Sequence, residues 1–329
     1  MDKPAISVVV PAYNCQKTIA SCINAILKQS LPPQEVIVVD DGSQDQSARL
    51  IQDFKNVKYV YQPNAGPAAA RNTGAFLASG DVVFFTDSDC VPDENWLARA
   101  IEGFVEKDVV AVAGSYGIVN QKSLLARVIH QEILFRHHQL MPKFPKAFGS
   151  YNVGIKKNVF KEVRGFSTAY RFASGEDNDL SYKIIQSGGK ILFNSASLVN
   201  HFHTEKPGRY LKEQFRHGFW RAKLYFDHAH MMKGDDYTFW KDIIEVPLVL
   251  VFIFSTVAAI FMPIFIIGSW VSGGFLIVLQ IFFSLLILKK NNEQIFGAGI
   301  FFLRSFARTS GFSTGLITFF LRKSPKKDK

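Results

Sequence analysis

The chain has 329 residues and a formal net charge of +10, with 48% hydrophobic and 20% charged side chains. That balance excludes a disordered or fibrous polypeptide and allows a large buried core. The charge is uneven: residues 1–120 carry 9 Lys+Arg against 14 Asp+Glu, and the remainder carries 29 against 14, so the basic excess surrounds apolar C-terminal segments, where anionic lipid is a simpler partner than nucleic acid.

The N-terminal apolar run is too short for a signal peptide, and Ile6–Val10 reads as a buried strand. Val36–Asp40, Val57–Tyr61 and Val82–Thr86 are further short, apolar, β-branched runs. Helical stretches near Ile19–Gln29, Asp45–Phe54 and Pro67–Ala78 separate them, and Trp96–Val105 and Val109–Ala113 add a helix and a strand. Strand, helix and strand at this spacing predict right-handed crossovers and an α/β fold with a doubly wound, mostly parallel sheet. Cys15, Cys22 and Cys90 form no C-x-x-C pair, and their odd count speaks for a reducing, cytosol-facing catalytic part.

From Val246 to Leu288 there are 43 consecutive residues without a charged side chain. One spanning helix needs about 20 apolar residues. The stretch therefore predicts a hairpin of two spans, 246–267 and 270–288, turning at Gly268-Ser269-Trp270 and Gly273-Gly274. Lys241, Asp242 and Glu245 precede it and Lys289-Lys290 follow it, so both ends are expected in the cytosol. Ile295–Leu321 is long enough to span, but Arg304 and Arg308 share one helix face. Each would cost about 2.5–3.5 kcal/mol at mid-bilayer. An amphipathic or re-entrant segment over 295–321 is expected, its arginines at headgroups or facing the catalytic domain, before a basic tail at 322–329.

Ligands of such a sheet bind beyond the carboxyl ends of its strands. The first strand ends in Pro11-Ala12-Tyr13-Asn14, the second in Asp40-Asp41-Gly42-Ser43, and the fourth in Asp87-Ser88-Asp89. One such ending is ordinary turn chemistry. Three in a row converge carboxylates on one edge, as a metal and a polyol or nucleotide would require. Alternation points Asp87 and Asp89 the same way, and paired carboxylates suit Mg²⁺ or Mn²⁺. A lone D-x-D is common in loops; its place after a buried strand gives it weight.

With these motifs together the chain resembles family 2 glycosyltransferases of the GT-A fold, attached to a membrane through the C-terminus. The resemblance is carried by Val8–Asn14, Val38–Ser43, Asn64–Gly74 with Arg71-Asn72, Asp87-Ser88-Asp89, Asn152-Val153-Gly154, Gly175–Leu180 and Val199-Asn200-His201, in order across roughly residues 5–205. It implies a nucleotide-sugar donor, with a UDP-sugar favoured. Pro11, Ala12, Tyr13, Asn14 and Asp41 would surround base and ribose, with Asp40 as a helper and Arg71 near base or diphosphate. Asp87, Ser88 and Asp89 would contact donor and divalent metal, Mn²⁺ or Mg²⁺. His201 would complete the metal shell, although a histidine at a sheet edge needs no such role.

Inverting transfer to an alcohol needs a base opposite the leaving group. Asp177 stands at the family's base position, and Glu176 beside it is expected to belong to the catalytic pair; both also fit an ordinary acidic helix start. Gln214, Arg216 and Trp220 depart in spacing from the Q-x-x-R-W of processive members, which argues against a polysaccharide synthase. The family's Gly-Gly-Phe-Asp is Arg164-Gly165-Phe166-Ser167 here, a departure expected on the acceptor side.

The sequence thus predicts a catalytic domain over 1–235, its donor half about 1–115 and its acceptor half about 116–235, and a membrane module over 236–329. The enzyme is expected to be multi-pass in the cell membrane with the catalytic domain facing the cytoplasm. It would act on a lipid-linked or membrane-associated acceptor in cell-surface polysaccharide, glycolipid or glycoconjugate synthesis, with membrane lipid and no nucleic acid as partner. Its rivals are a polyprenyl-phosphate glycosyltransferase, whose ionised acceptor needs no base, and a non-catalytic nucleotide-sugar-binding membrane protein.

Overall fold

Four strands lie side by side and parallel in a computed structural model that describes residues 4–172, 174–229, 236 and 238–323. They are β1 (Ile6–Ala12), β2 (Glu35–Asp40), β3 (Lys58–Tyr61) and β4 (Val82–Thr86). Helices α1 (Ile19–Leu27), α2 (Ser47–Gln52) and α3 (Pro67–Leu77) make the crossovers. Both faces of the sheet are covered, which is why β1 and β2 read as continuous apolar runs and not as alternation. Val8, Val10 and Val38 pack on Ile19, Ile23 and Ile26 of α1. Val9, Ile37 and Val39 pack the other way, with Ala68, Ala70 and Ala75 of α3. A Cβ on Gly74 would stand 2.4 Å from Val9 Cγ1, so that glycine lets α3 lie against the sheet.

The sheet then becomes mixed. Its further elements are β5 (Cys90–Pro92), α4 (Trp96–Glu102), β6 (Val109–Ile118), α5 (Leu124–Gln139), β7 (Asn152–Lys156), α6 (Lys157–Glu162), α7 (Glu176–Gln186) and β8 (Lys190–His201). The eight strands run in the order β3-β2-β1-β4-β7-β6-β8-β5. β7 is antiparallel to both β4 and β6, β8 is parallel to β6, and β5 is antiparallel to β8. The α/β expectation holds, while the doubly wound parallel pattern is confined to the first four strands.

The chain divides into two compact units, residues 1–120 with 137–203 and residues 121–136 with 204–329. The second holds the first part of α5 and four long helices, α8 (Pro207–Asp227), α9 (Trp240–Ala258), α10 (Phe265–Ile287) and α11 (Asn291–Lys323). The units divide at 203/204 and not near 235, a residue that itself lies outside those described. α8 goes with the C-terminal helices because glycines bring it to α11 backbone to backbone. A Cβ on Gly311 would stand 2.0 Å from Phe215 O, and one on Gly218 would stand 2.1 Å from Arg308 O.

The turn after α9 falls at 259–264, around Pro263, and not at 268–274. Proline cannot continue a helix with an intact hydrogen-bond ladder. The glycines taken for a turn lie inside α10, where they admit α9: a Cβ on Gly268 or on Gly273 would stand 2.8 Å from Ser255 Oγ or from the Phe252 ring. Among the described residues α10 alone is long and apolar enough to cross a membrane, with 23 residues and a mean hydropathy of 2.1. The expected pair of spans is therefore reduced to one candidate, since α9 opens with Lys241, Asp242 and Glu245.

Residues 295–321 lie in the unbroken α11, with no re-entrant turn. Arg304 is fully buried, paired with Glu132 and 3.3 Å from Tyr210 Oη. Arg308 donates to Gln214 at 2.7 Å and to Asp242 at 3.2 Å. Glu132, Tyr210 and Gln214 fall inside the range expected for the catalytic domain and Asp242 lies just beyond it, and the structure groups all four with the helical unit. Residues 324–329 of the basic tail lie outside those described.

Candidate active site

At the ends of β1 and β2 the polar side chains first serve the backbone. Asp40 accepts the Ser43 N–H at 2.9 Å and the Tyr59 hydroxyl at 2.9 Å. Burial, and then the Asp40 charge, push that phenol up to about 12. Asp41 accepts the Ala65 and Gly66 N–H groups at 2.9 and 2.8 Å and the Gln62 amide at 2.7 Å. Both carboxylates are thereby committed to shaping the loops of the expected nucleotide pocket. Gly66 has φ +92°, and a Cβ there would stand 2.9 Å from Arg171 O, so only glycine fits this turn into α3. Pro11 and Ala12 are buried in β1, whereas Tyr13 is half exposed and presents the open aromatic surface. Asn14, at φ 47°, accepts the Gln44 N–H at 2.8 Å.

Arg71 on α3 is almost fully buried. Its Nη2 donates to Asp87 at 2.7 Å and its Nη1 to Glu176 at 3.0 Å. Burial opposes its charge, but Asp87 and Glu176 outweigh burial and hold the guanidinium above its ordinary range. Phe166 lies beneath it, 5.5 Å from ring centroid to guanidinium carbon. Asn72 pins Phe166 in place by accepting its N–H at 2.9 Å and donating to its carbonyl at 2.8 Å. The Arg71-Asn72 pair thus builds a charge bridge and the floor under it. Arg71, expected beside base or diphosphate, links the end of β4 to the start of α7.

α7 begins after Gly175, which has φ +97°. Glu176 is buried and accepts the Ser174 N–H at 2.7 Å. Burial and then the neighbouring Asp177 charge raise its carboxyl, against the pull of Arg71. Burial likewise raises Asp177, opposed by the Asn178 N–H, which donates to Oδ1 at 2.9 Å. Asp177 is therefore a stronger base than a solvated carboxylate. Asp179 pairs with Lys183 at 3.0 Å and does helix work.

Antiparallel pairing of β5 with β8 sets Cys90 opposite His201. It brings Asp89 Oδ1 to 3.3 Å from His201 Nε2. Asp87, Ser88 and Asp89 are half-buried, and Asp87 Oδ1 is given to Arg71. Asp89, Cys90 and His201 place one ligand atom each within 4.8 Å of one another. Burial pushes the Cys90 thiol well up, which disfavours the thiolate a metal would need. The remaining carboxylate and imidazole suit a divalent ion that keeps open positions for phosphate oxygens. Tyr59 and Gln62, which bond Asp40 and Asp41, carry no local signal in the sequence, whereas His203 stands two residues after His201.

Residues 7–172 match the family model described as Glycosyl transferase family 2. Glycosyltransferase AglE of Haloferax volcanii is 30% identical over 225 residues, covering 65% of this chain and 72% of the relative. The UDP-Glc:alpha-D-GlcNAc-diphosphoundecaprenol beta-1,3-glucosyltransferase WfgD of Escherichia coli is 31% identical over 132 residues, covering 39% of this chain and 52% of the relative. The mannosyltransferase PcManGT from Pyrobaculum calidifontis, solved in complex with GDP-Man and Mn²⁺, shares the fold with a TM-score of 0.56 at 16% identity, covering 99% of this chain and 89% of that one.

Proposed function

The chain belongs to glycosyltransferase family 2, and from that premise we propose that it transfers a sugar from a nucleotide-sugar donor, with inversion, to a hydroxyl of a lipid-linked acceptor at the cell membrane. The observation that carries this reading is the Arg71 bridge from Asp87 to Glu176. It couples the donor-side carboxylates to the helix start that bears Asp177.

Asp177 takes the proton of the acceptor hydroxyl while that oxygen attacks the anomeric carbon. The bond to the diphosphate oxygen breaks with its electron pair leaving on the nucleotide. Raised basicity is what this step asks of a carboxylate, and it favours an alcohol acceptor over an already ionised polyprenyl phosphate. Arg71 neutralises charge around Asp87 and Glu176, and Tyr13 offers a face to the base. Asp89 and His201, with Asp87 beside them, would hold a divalent cation, Mn²⁺ or Mg²⁺, which supplies neutralisation of the departing diphosphate. WfgD is named for a UDP-sugar and a diphosphate-lipid acceptor, which supports a UDP donor and an acceptor of that class. α10 supports membrane attachment, with the site on the cytoplasmic side.

The test is sugar transfer by the full chain in lipid nanodiscs, with UDP-, GDP-, dTDP- and CMP-sugars and a diphosphate-polyprenyl-linked saccharide. Transfer from one nucleotide class, abolished by chelation, restored by Mn²⁺ and lost in Asp177→Asn, is expected. Donor binding without turnover across acceptors would overturn the reading, as would unimpaired transfer by Asp177→Asn.

A further inference from the structure

Two histidines at the end of β8 face one another. His201 Nδ1 and His203 Nδ1 are 3.0 Å apart, and His201 Nε2 is the atom near Asp89. A hydrogen bond between two ring nitrogens needs a proton on one and a lone pair on the other. The protonation of His203 Nδ1 therefore dictates that of His201 Nδ1, and with it whether His201 Nε2 carries a proton or a lone pair.

His203 is held for this task. The Asn120 side chain donates to its carbonyl at 2.7 Å and accepts its N–H at 3.1 Å, closing a two-point clamp on its backbone. Tyr116 lies against both imidazoles, at 5.2 Å from His201 and 5.8 Å from His203 between ring centroids. Tyr116 is itself stacked on Tyr151 at 3.5 Å. The Phe202 N–H donates to Asp89 O at 2.9 Å and fixes the backbone between the two histidines to the strand end that carries Asp89.

We propose that His203 is a positioning residue whose Nδ1, by accepting from His201 Nδ1–H, supports the His201 tautomer able to ligate a cation; the inference rests on reading Asp89 and His201 as the cation-holding pair. With a cation bound, His201 presents its Nε2 lone pair, its proton sits on Nδ1 and donates to His203 Nδ1, and His203 carries its own proton on Nε2. Without one, the reverse arrangement is the favourable one: His203 Nδ1–H donates to His201, and His201 Nε2–H faces the Asp89 carboxylate. The two differ by moving the shared proton between the Nδ1 atoms and one proton from His201 Nε2 to His203 Nε2, with no net gain or loss. Imidazole serves as both donor and acceptor. A carboxylate here would accept only, and lysine would donate only.

The experiment measures Mn²⁺ affinity of the full chain from the spin-resonance signal of free Mn²⁺, without turnover. Partners that orient a metal-ligating histidine typically matter by about 10–100-fold in affinity. His203→Leu is expected to weaken Mn²⁺ binding by that factor, and His203→Asn, whose amide oxygen accepts from His201 Nδ1–H, to stay within about threefold of the parent. Unchanged affinity in His203→Leu, or equal loss in the Leu and Asn variants, overturns the inference. His201→Ala separates the premise: if it too binds Mn²⁺ normally, the cation-holding reading fails first. Should His203→Leu not fold, nitrogen NMR of the histidine-labelled parent decides. With Mg²⁺ bound, His203 Nδ1 is expected to be unprotonated, and a proton found there overturns the inference.

Discussion

Arg71 and Glu176, 105 positions apart in the chain, are joined by a 3.0 Å hydrogen bond with each side chain only 2% exposed. Removing one partner of a buried ion pair leaves the other charge stranded and typically costs about 3–5 kcal/mol. Arg71→Ala is expected to lose stability of that order in thermal or denaturant unfolding. Arg71→Lys keeps the charge, but an ammonium lacks the planar fork that reaches Asp87 and Glu176 together. It is expected to fold and to lose most activity. A lysine variant with parental turnover would show that the bridge is not needed for transfer.

Asp177→Asn is expected to lower kcat by about 10²–10⁴-fold, the usual range for a general base, with little change in donor KM. Burial holds Asp177 above the ordinary carboxylate range, so the folded protein binds this proton more tightly than the unfolded chain does. Its contribution to stability is therefore present at low pH and falls as pH rises from the unfolded pKa through the raised folded one. The asparagine variant is expected to unfold at a higher temperature than the parent at pH 8. The parent's rate would climb with pH as Asp177 ionises. Equal pH profiles for parent and variant would remove Asp177 from the proton transfer.

The parallel half of the sheet was legible because burial on both faces writes unbroken apolar runs such as Val8–Val10 and Val36–Val39. The strand-end carboxylates were legible because Asp40-Asp41 and Asp87-Ser88-Asp89 follow those runs directly. The place of Arg71 was not. Its partners lie 16 and 105 positions away, and local spacing carries no trace of a pairing that only the folded sheet creates. Gly268 to Gly274 misled for a related reason: glycine marks both turns and close helix approach, and only the neighbouring helix decides between them.

That second use of glycine gives a paired prediction in α11. A Cβ at Gly311 would stand 2.0 Å from Phe215 O, and one at Gly315 would stand 2.5 Å from Phe219 O, whereas one at Gly299 meets nothing within 4 Å. Gly311→Ala forces two backbones apart, and overpacking of this kind typically costs about 1–3 kcal/mol or more. Gly299→Ala replaces the poorer helix former at an exposed position and is expected to stabilise by up to about 1 kcal/mol. Unfolding of the two variants in the same detergent checks the opposed signs. Equal effects would mean that α8 and α11 do not touch at Gly311.

α10 turns polar side chains inward and apolar ones outward. Its Ser269, Ser272, Gln280 and Ser284 are buried, and Gln280 donates to Glu245 at 2.9 Å. Its exposed positions are apolar: Trp270 is 77% exposed, Val271 67% and Val278 61%. Water would sort these side chains the other way round. If the outer face of α10 lies in hydrocarbon, Val278→Lys places a charge that costs about 2.5–3.5 kcal/mol near mid-bilayer on the insertion scale. The variant is expected to shift from the carbonate-resistant membrane fraction towards the extractable one. Ser272→Ala, on the inward face, is expected to leave that partition unchanged. Full carbonate resistance of Val278→Lys would place the outer face of α10 against protein, and the acceptor would then no longer need to be sought among lipids on this ground.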